Sequence, residues 1–180
     1  VAAEVKIVQT RVGLCEVNGF NRFEISGDGA HDWLDTMICG AVPRKSGRLG
    51  LGYLLNHQGC IKSEATIANL PDGRIWYGSA AASEFHDMDW LRNHAPDHIQ
   101  IESRTNSHTI LILAGPKSRN VLAACARGDW SAQAFPWLSV RHAFVGIAPV
   151  VVMAVSFSGE LAYEIHVPNA SVYAAYLALR

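Results

Sequence analysis

The 180 residues are 49% hydrophobic, and fifteen Lys and Arg against sixteen Asp and Glu leave a formal net charge of -1. That length and apolar content suffice for one ordinary core or two small lobes sharing one. A near-zero charge provides no field to gather a polyanion, so nucleic acid is not an expected partner, and no apolar run approaches the roughly 18 residues of a membrane-spanning helix.

In chain order, residues 22–26 alternate like a strand, and Gly27-Asp28-Gly29 leads into a helix over 30–39 with Trp33, Leu34, Met37 and Ile38 at helical spacing. Gly40 is expected to close that helix. Strands over 51–56 and 61–70, joined by His57-Gln58-Gly59, read as a hairpin. A strand over 74–78 follows the turn Pro71-Asp72-Gly73, and residues 83–94 place Phe85, Met88, Trp90 and Leu91 on a helix with Ser83 as N-cap and His86 at N3. A strand over 109–113 ends at Ala114-Gly115-Pro116, which starts a helix over 117–126. Strands over 140–144, 150–157 and 163–167 complete the set, and residues 170–180 have helical composition without a Gly or Pro stop. Single helices interrupting β-rich segments predict an α+β fold of mainly antiparallel sheets with flanking helices, not a doubly wound parallel sheet. The ends read as cuts in a longer parent chain.

Cys15, Cys39, Cys60 and Cys125 form no Cys-x-x-Cys pair and have no His at ligand spacing, so they read as reduced, mostly buried thiols with no metal among them. The N-terminus shows no charged-then-apolar leader, and the expected compartment is cytoplasmic, or the mitochondrial matrix in a eukaryote. There is no G-x-G-x-x-G, no Walker A loop, no G-x-S-x-G and no H-E-x-x-H. The glycines of residues 46–52 lack the Lys-Ser/Thr of a phosphate loop and read as a loop entering a strand. The eight histidines are scattered and read as surface or structural.

Two carboxylates stand out. Glu64 shares a strand face with Lys62 and Thr66 if the period is two, and its plain reading is an exposed position paired with Lys62. Glu160 follows Ser158-Gly159 at the end of the apolar run 150–157, where it is either a turn-stabilising side chain or a carboxylate held by donors.

Four stretches in order resemble one known family: Phe23-Glu24-Ile25-Ser26-Gly27, residues 52–59 with the carboxylate strand after them, Ala114-Gly115-Pro116-Lys117-Ser118-Arg119, and residues 156–165. Together they resemble the aminomethyltransferase (glycine-cleavage T-protein) folate-binding domain, in the branch found at the C-terminal end of dimethylglycine and sarcosine dehydrogenases. The glycine-cleavage enzymes carry paired aspartates where this chain has Ser63-Glu64. Their asparagine before the second helix is replaced by Ala80, and their Arg ahead of the glycine-glutamate turn by small or apolar residues.

The resemblance implies the aminomethyltransferase folate-binding fold in two interleaved lobes, about 1–48 with 108–180 and about 49–107. It implies tetrahydrofolate as cofactor, a one-carbon donor as small-molecule partner, and transfer of a methylene or formaldehyde unit from an oxidised N-methyl amine to give 5,10-methylenetetrahydrofolate. FAD is expected only in a flavin-dependent oxidoreductase domain N-terminal to this region of the parent protein. In this reading the two oxygens of Glu160 accept the adjacent ring N–H and exocyclic amine of the pteridine. Glu64 acts beside the folate N5 and N10, accepting a proton or stabilising positive charge. Tyr53 and Tyr163 offer stacking or a hydroxyl, or else are ordinary amphipathic strand residues. Other readings are a folate-binding assembly or regulatory module without transferase activity, and a folate-dependent demethylase of another methylated small molecule.

Overall fold

Side-chain alternation along the strands sorts this sequence into two apolar cores, each with its own antiparallel sheet. The computed structural model describes residues 1–180. In chain order the elements are helix α1 (Ala2–Thr10), strands β1 (Gly13–Glu16) and β2 (Phe23–Ser26), helix α2 (Ala30–Met37), and strands β3 (Ile38–Gly40), β4 (Arg48–Leu55), β5 (Ile61–Asn69) and β6 (Ile75–Gly78). Helix α3 (Glu84–His94), strands β7 (Gln100–Ser103) and β8 (His108–Ala114), helix α4 (Ser118–Cys125), strands β9 (Val140–Val145), β10 (Ala148–Met153) and β11 (Ala162–Pro168), and helix α5 (Val172–Leu179) follow. The chain divides into one body of 1–18 with 107–180 and another of 19–106.

The first body holds the sheet β1-β8-β11-β10-β9, antiparallel throughout. Its core takes Leu113, Val152, Tyr163 and Ile165 from the strands and Leu122 and Leu179 from α4 and α5. Helix α4 begins at Ser118, two residues after Pro116. There the Ser118 hydroxyl donates to the Gly115 carbonyl at 2.7 Å, and the Lys117 N–H donates to the Arg11 carbonyl at 2.9 Å.

The second body holds the sheet β3-β4-β5-β6-β2-β7, also antiparallel. One sheet face presents Phe23, Ile25, Leu54, Ile67 and Tyr77 to Leu34 of α2 and Met88 and Leu91 of α3. Leu34 and Leu91 are fully buried; truncating either to Ala removes burial and leaves a cavity, costing about 2–5 kcal/mol.

Residues 19–48, expected with the first lobe, lie in this second body. The cause is pairing: β2 sits between β6 and β7, and Leu34 fills this core. The helix expected over 30–39 stops at Met37, because Ile38–Gly40 pairs with β4 as an edge strand. The strand expected from 51 begins at Arg48, and the one expected to 157 ends at Met153. Ser83 makes no capping hydrogen bond; a 3-10 turn over Ala81–Ser83 leads into α3 instead. The thiols are free, but Cys15, Cys39 and Cys60 are exposed and only Cys125 is half-buried. Cys15 and Cys39 stand on edge strands and Cys60 beside the hairpin turn, where nothing covers a side chain.

Candidate functional site

The β4–β5 hairpin is closed by Asn56, whose Oδ1 accepts from the Gln58 and Cys60 N–H groups at 3.0 and 2.9 Å, while Gly59 takes φ 77°. This turn sets the register that places Tyr53 directly across from Glu64, and Cys39 across from Tyr53. Residues opposite one another share a sheet face, so Cys39, Tyr53 and Glu64 form a row across three strands, on the face away from α2 and α3. Glu64 is exposed, and Tyr53 is 42% exposed.

Lys62 does not join that row, contrary to the period-two expectation. Leu54 pairs with Ser63 and Leu55 with Ile61, so Lys62 is the extra residue of a β-bulge. Its ammonium lies 2.8 Å from His86 Nε2 and 4.3 Å from the centroid of the Trp90 ring on α3. Two further imidazoles complete this cluster. His57 Nε2 and His94 Nε2 are 3.2 Å apart, and the His94 Nδ1–H donates to the Trp90 carbonyl at 2.7 Å.

Ser63 points to the opposite, covered face, where a chain of hydroxyls leads to Asp87. Ser63 Oγ and the Tyr77 hydroxyl are 2.8 Å apart, Tyr77 donates to Asp87 Oδ2 at 3.2 Å, and Ser79 donates to the same oxygen at 2.6 Å. Burial pushes the Tyr77 phenol well above its usual range, so it stays neutral and serves as a donor. Asn21 holds Ser79 from the other side, donating to its hydroxyl at 2.6 Å and accepting from its N–H at 2.9 Å. Asp87 is fully buried. The sequence reading counts Phe85, which is 88% exposed, among the apolar residues of this helix and does not single out Asp87. The available signal is spacing: Asp87 stands four residues before Leu91 and beside Met88, on the stripe that faces the sheet.

In the other body, Glu160 lies in the loop from β10 to β11. The Ser158 hydroxyl donates to its Oε2 at 2.5 Å, and the Gly159 N–H, at φ 96°, donates to Ser156 Oγ at 2.8 Å. The Ser158 bond, with the residue's own N–H, holds the Glu160 carboxyl below its usual range, in the acceptor form. Tyr163 is fully buried, its ring stacked on Phe135 at 6.0 Å, and its hydroxyl has no hydrogen-bond partner. Burial raises its phenol, partly opposed by Arg119, whose guanidinium carbon lies 5.9 Å from the ring centroid. Tyr163 is thus a core residue of its strand. The structure brings Tyr53 and Glu64 together in one row and places Glu160 in the other body.

The family model of the GCVT N-terminal domain matches residues 1–180. The chain belongs to the GCVT N-terminal domain family. Curated relatives of this GCVT domain include the mitochondrial dimethylglycine dehydrogenase of Mus musculus, 28% identical over 92% of this chain and 19% of that protein. Sarcosine oxidase subunit alpha of Rhizobium meliloti (strain 1021) is 31% identical over 93% of this chain and 18% of its own. The chain therefore spans about a fifth of the length of each of these relatives. Among solved structures, the glycine cleavage system aminomethyltransferase T from Bartonella henselae superposes with a TM-score of 0.84 at 20% identity, over 98% of this chain and 47% of that one. At that identity the likeness shows the fold, and the fold is the expected mixture of antiparallel sheets with flanking helices.

Proposed function

We propose that this GCVT N-terminal domain binds tetrahydrofolate and transfers a one-carbon unit to it, taking a methylene or formaldehyde equivalent from an oxidised N-methyl amine of the dimethylglycine or sarcosine type. The reading is supported by membership of the family together with one observation: Glu64 and Tyr53 stand side by side and solvent-accessible on a sheet face while the bulge turns Lys62 away. The donor is an iminium ion, a methylene carbon doubly bonded to a cationic nitrogen. That carbon forms bonds to both N5 and N10 of the folate as its bond to the donor nitrogen breaks, and the amine departs as an ammonium carrying the two protons displaced from the folate. Glu64 is the group assigned to carry a proton between those atoms and to face the cationic donor. Glu160, ionised and bonded by Ser158 on one oxygen, keeps lone pairs on both oxygens for the paired N–H donors of a pteridine. Tyr53 is assigned a stacking contact beside Glu64. Tyr163 is left out, because its ring is enclosed. A flavin domain elsewhere in the parent protein is the assigned source of the oxidised amine.

Calorimetric titration with tetrahydrofolate tests binding, and absence of heat with a folded protein refutes it. Glu64→Gln is expected to keep folate affinity within about tenfold while lowering methylene transfer; Glu160→Ala is expected to weaken binding by about tenfold or more, the loss of a charged hydrogen-bond partner. Normal transfer by Glu64→Gln would leave a folate-binding module whose transfer chemistry, if any, lies elsewhere.

A further inference from the structure

The end of β5 that carries Glu64 is laddered on one side only, with Ser63 opposite Leu54 and Glu64 opposite Tyr53 on β4. Pairing of β5 with β6 begins only at Thr66 opposite Gly78, so Ser63 and Glu64 lie beyond it. On the β4 side the ladder is interrupted by the bulge at Lys62, immediately before them. A strand end paired on one side only and flanked by a bulge opens locally more readily than one laddered on both sides, and side-chain tethers oppose that opening.

Two tethers are present, and both run to α3. Lys62 reaches His86 and Trp90 from the surface. Ser63 reaches Asp87 from inside, through the Tyr77 hydroxyl. Asp87 is the hub of the inner tether, since its Oδ2 also takes Ser79, which Asn21 anchors to the segment entering β2. Its Oδ1 makes no hydrogen bond, and His86 Nδ1 stands 3.5 Å away. Enclosing a carboxylate with one oxygen unbonded is unfavourable, and a helix needed only to cover the sheet would carry an apolar residue here. What the acid provides that a Leu would not is a fixed direction: two hydroxyls converge on one oxygen and lock the backbone on which they ride.

We infer that Asp87 is a positioning residue for Glu64, acting through Tyr77 and Ser63 to fix the stretch of β5 from which Glu64 projects on the opposite face. The inference rests on the assignment of transfer to Glu64, and its tests separate the two. In the full-length protein, Asp87→Asn, Tyr77→Phe and Ser63→Ala are compared with Glu64→Gln by steady-state methylene transfer and by hydrogen exchange of β5. Each tether variant should lower kcat by about tenfold while KM for tetrahydrofolate stays within about threefold, the pattern of lost orientation and not of lost folate contact. Exchange should rise about tenfold or more over residues 61–65 and stay unchanged over 67–69, where the β6 ladder holds. Adding Asp87→Asn to Glu64→Gln should cost no further kcat, because both remove one function.

Normal transfer by Glu64→Gln overturns the underlying reading. Impaired transfer by Glu64→Gln, with unaltered kcat or unaltered 61–65 exchange in Tyr77→Phe and Ser63→Ala, overturns the tether alone. Losses that multiply between Asp87→Asn and Glu64→Gln do the same. Should Asp87→Asn fail to fold, the two hydroxyl variants decide the question, since each deletes only an oxygen.

Discussion

Glu24→Gln offers a measurement of how the second body is held, with both a size and a sign. Glu24 sits on β2 between β6 and β7 and directly opposite Glu102, an unfavourable like-charge pair on its own. Arginine offsets it. Oε2 takes Arg74 Nη1 at 2.7 Å and Trp76 Nε1 at 3.1 Å, while Arg104 Nη2 bridges Oε1 at 3.2 Å and Glu102 at 2.7 Å. Desolvation is the largest influence on this carboxyl and raises its pKa, but the Trp76 bond and the two guanidinium groups together hold it below the usual value. A charge-assisted bond contributes about 1.5–3 kcal/mol when shielded. Here Arg74 and Arg104 are 43% and 40% exposed, so solvent screening reduces each ion pair to about 1 kcal/mol or less. The expected loss in Glu24→Gln is about 1–2 kcal/mol at pH 7, or about 3–6 °C in Tm for a chain of this length. A folded pKa below the unfolded one means the contribution is fully present above the unfolded value near about 4.3 and is lost as pH falls through the folded value. Urea melts of wild type and variant at pH 7 and pH 3 should therefore show a gap that closes on acidification. A gap of equal size at both pH values would refute the electrostatic account, and no gap at pH 7 would refute the contribution itself.

Gly115→Ala should destabilise the first body by at least about 2 kcal/mol in a denaturant melt, since φ is 125° and an added Cβ would lie 2.6 Å from the Val8 and Arg11 carbonyl oxygens. A disulfide-exchange reagent should modify three thiols rapidly and Cys125 slowly, because Cys15, Cys39 and Cys60 are exposed while burial raises the Cys125 thiol. Ser158→Ala should move the Glu160 carboxyl titration, followed by NMR, upward toward its ordinary value, since the Ser158 hydroxyl is the main cause of its depression.

Much of the fold is legible where local signals and tertiary pairing agree. The β4–β5 hairpin announces itself by two apolar runs around a glycine turn, and α4 by the motif before it. Strand β7 is not legible, because in Gln100–Ser103 only Ile101 is buried and one apolar residue makes no alternation. Strand β3 is hidden differently. Ile38 continues the helical spacing of Leu34, and only the partner strand β4 draws residues 38–40 into the sheet, a case of tertiary context overriding a local pattern. The body boundary is misplaced for the same reason: nothing near residue 19 states that β2 will insert between β6 and β7.

The site is legible as a pair of carboxylates but not as an arrangement. In sequence, Lys62 and Glu64 are two apart and read as partners. A bulge cannot be detected from one strand, because it is defined by a mismatch between two. Once Lys62 is counted as the extra residue, three neighbours on β5 acquire three destinations: Lys62 to His86 and Trp90, Ser63 to Tyr77 and Asp87, Glu64 to the exposed face with Tyr53. The residue that stands where the glycine-cleavage enzymes carry the first of two acids is then the one turned inward, and in this chain that inward position is a hydroxyl tied to a buried acid on α3. A second carboxylate at position 63 would face Tyr77 and Asp87 across the same hydrogen bonds and set two acids within one enclosed network. Serine at 63 is therefore consistent with Asp87 beneath it, and exchanging Ser63→Asp should be tolerated far better in the Asp87→Asn background than alone, a non-additive coupling that thermal melts of the single and double variants would read directly.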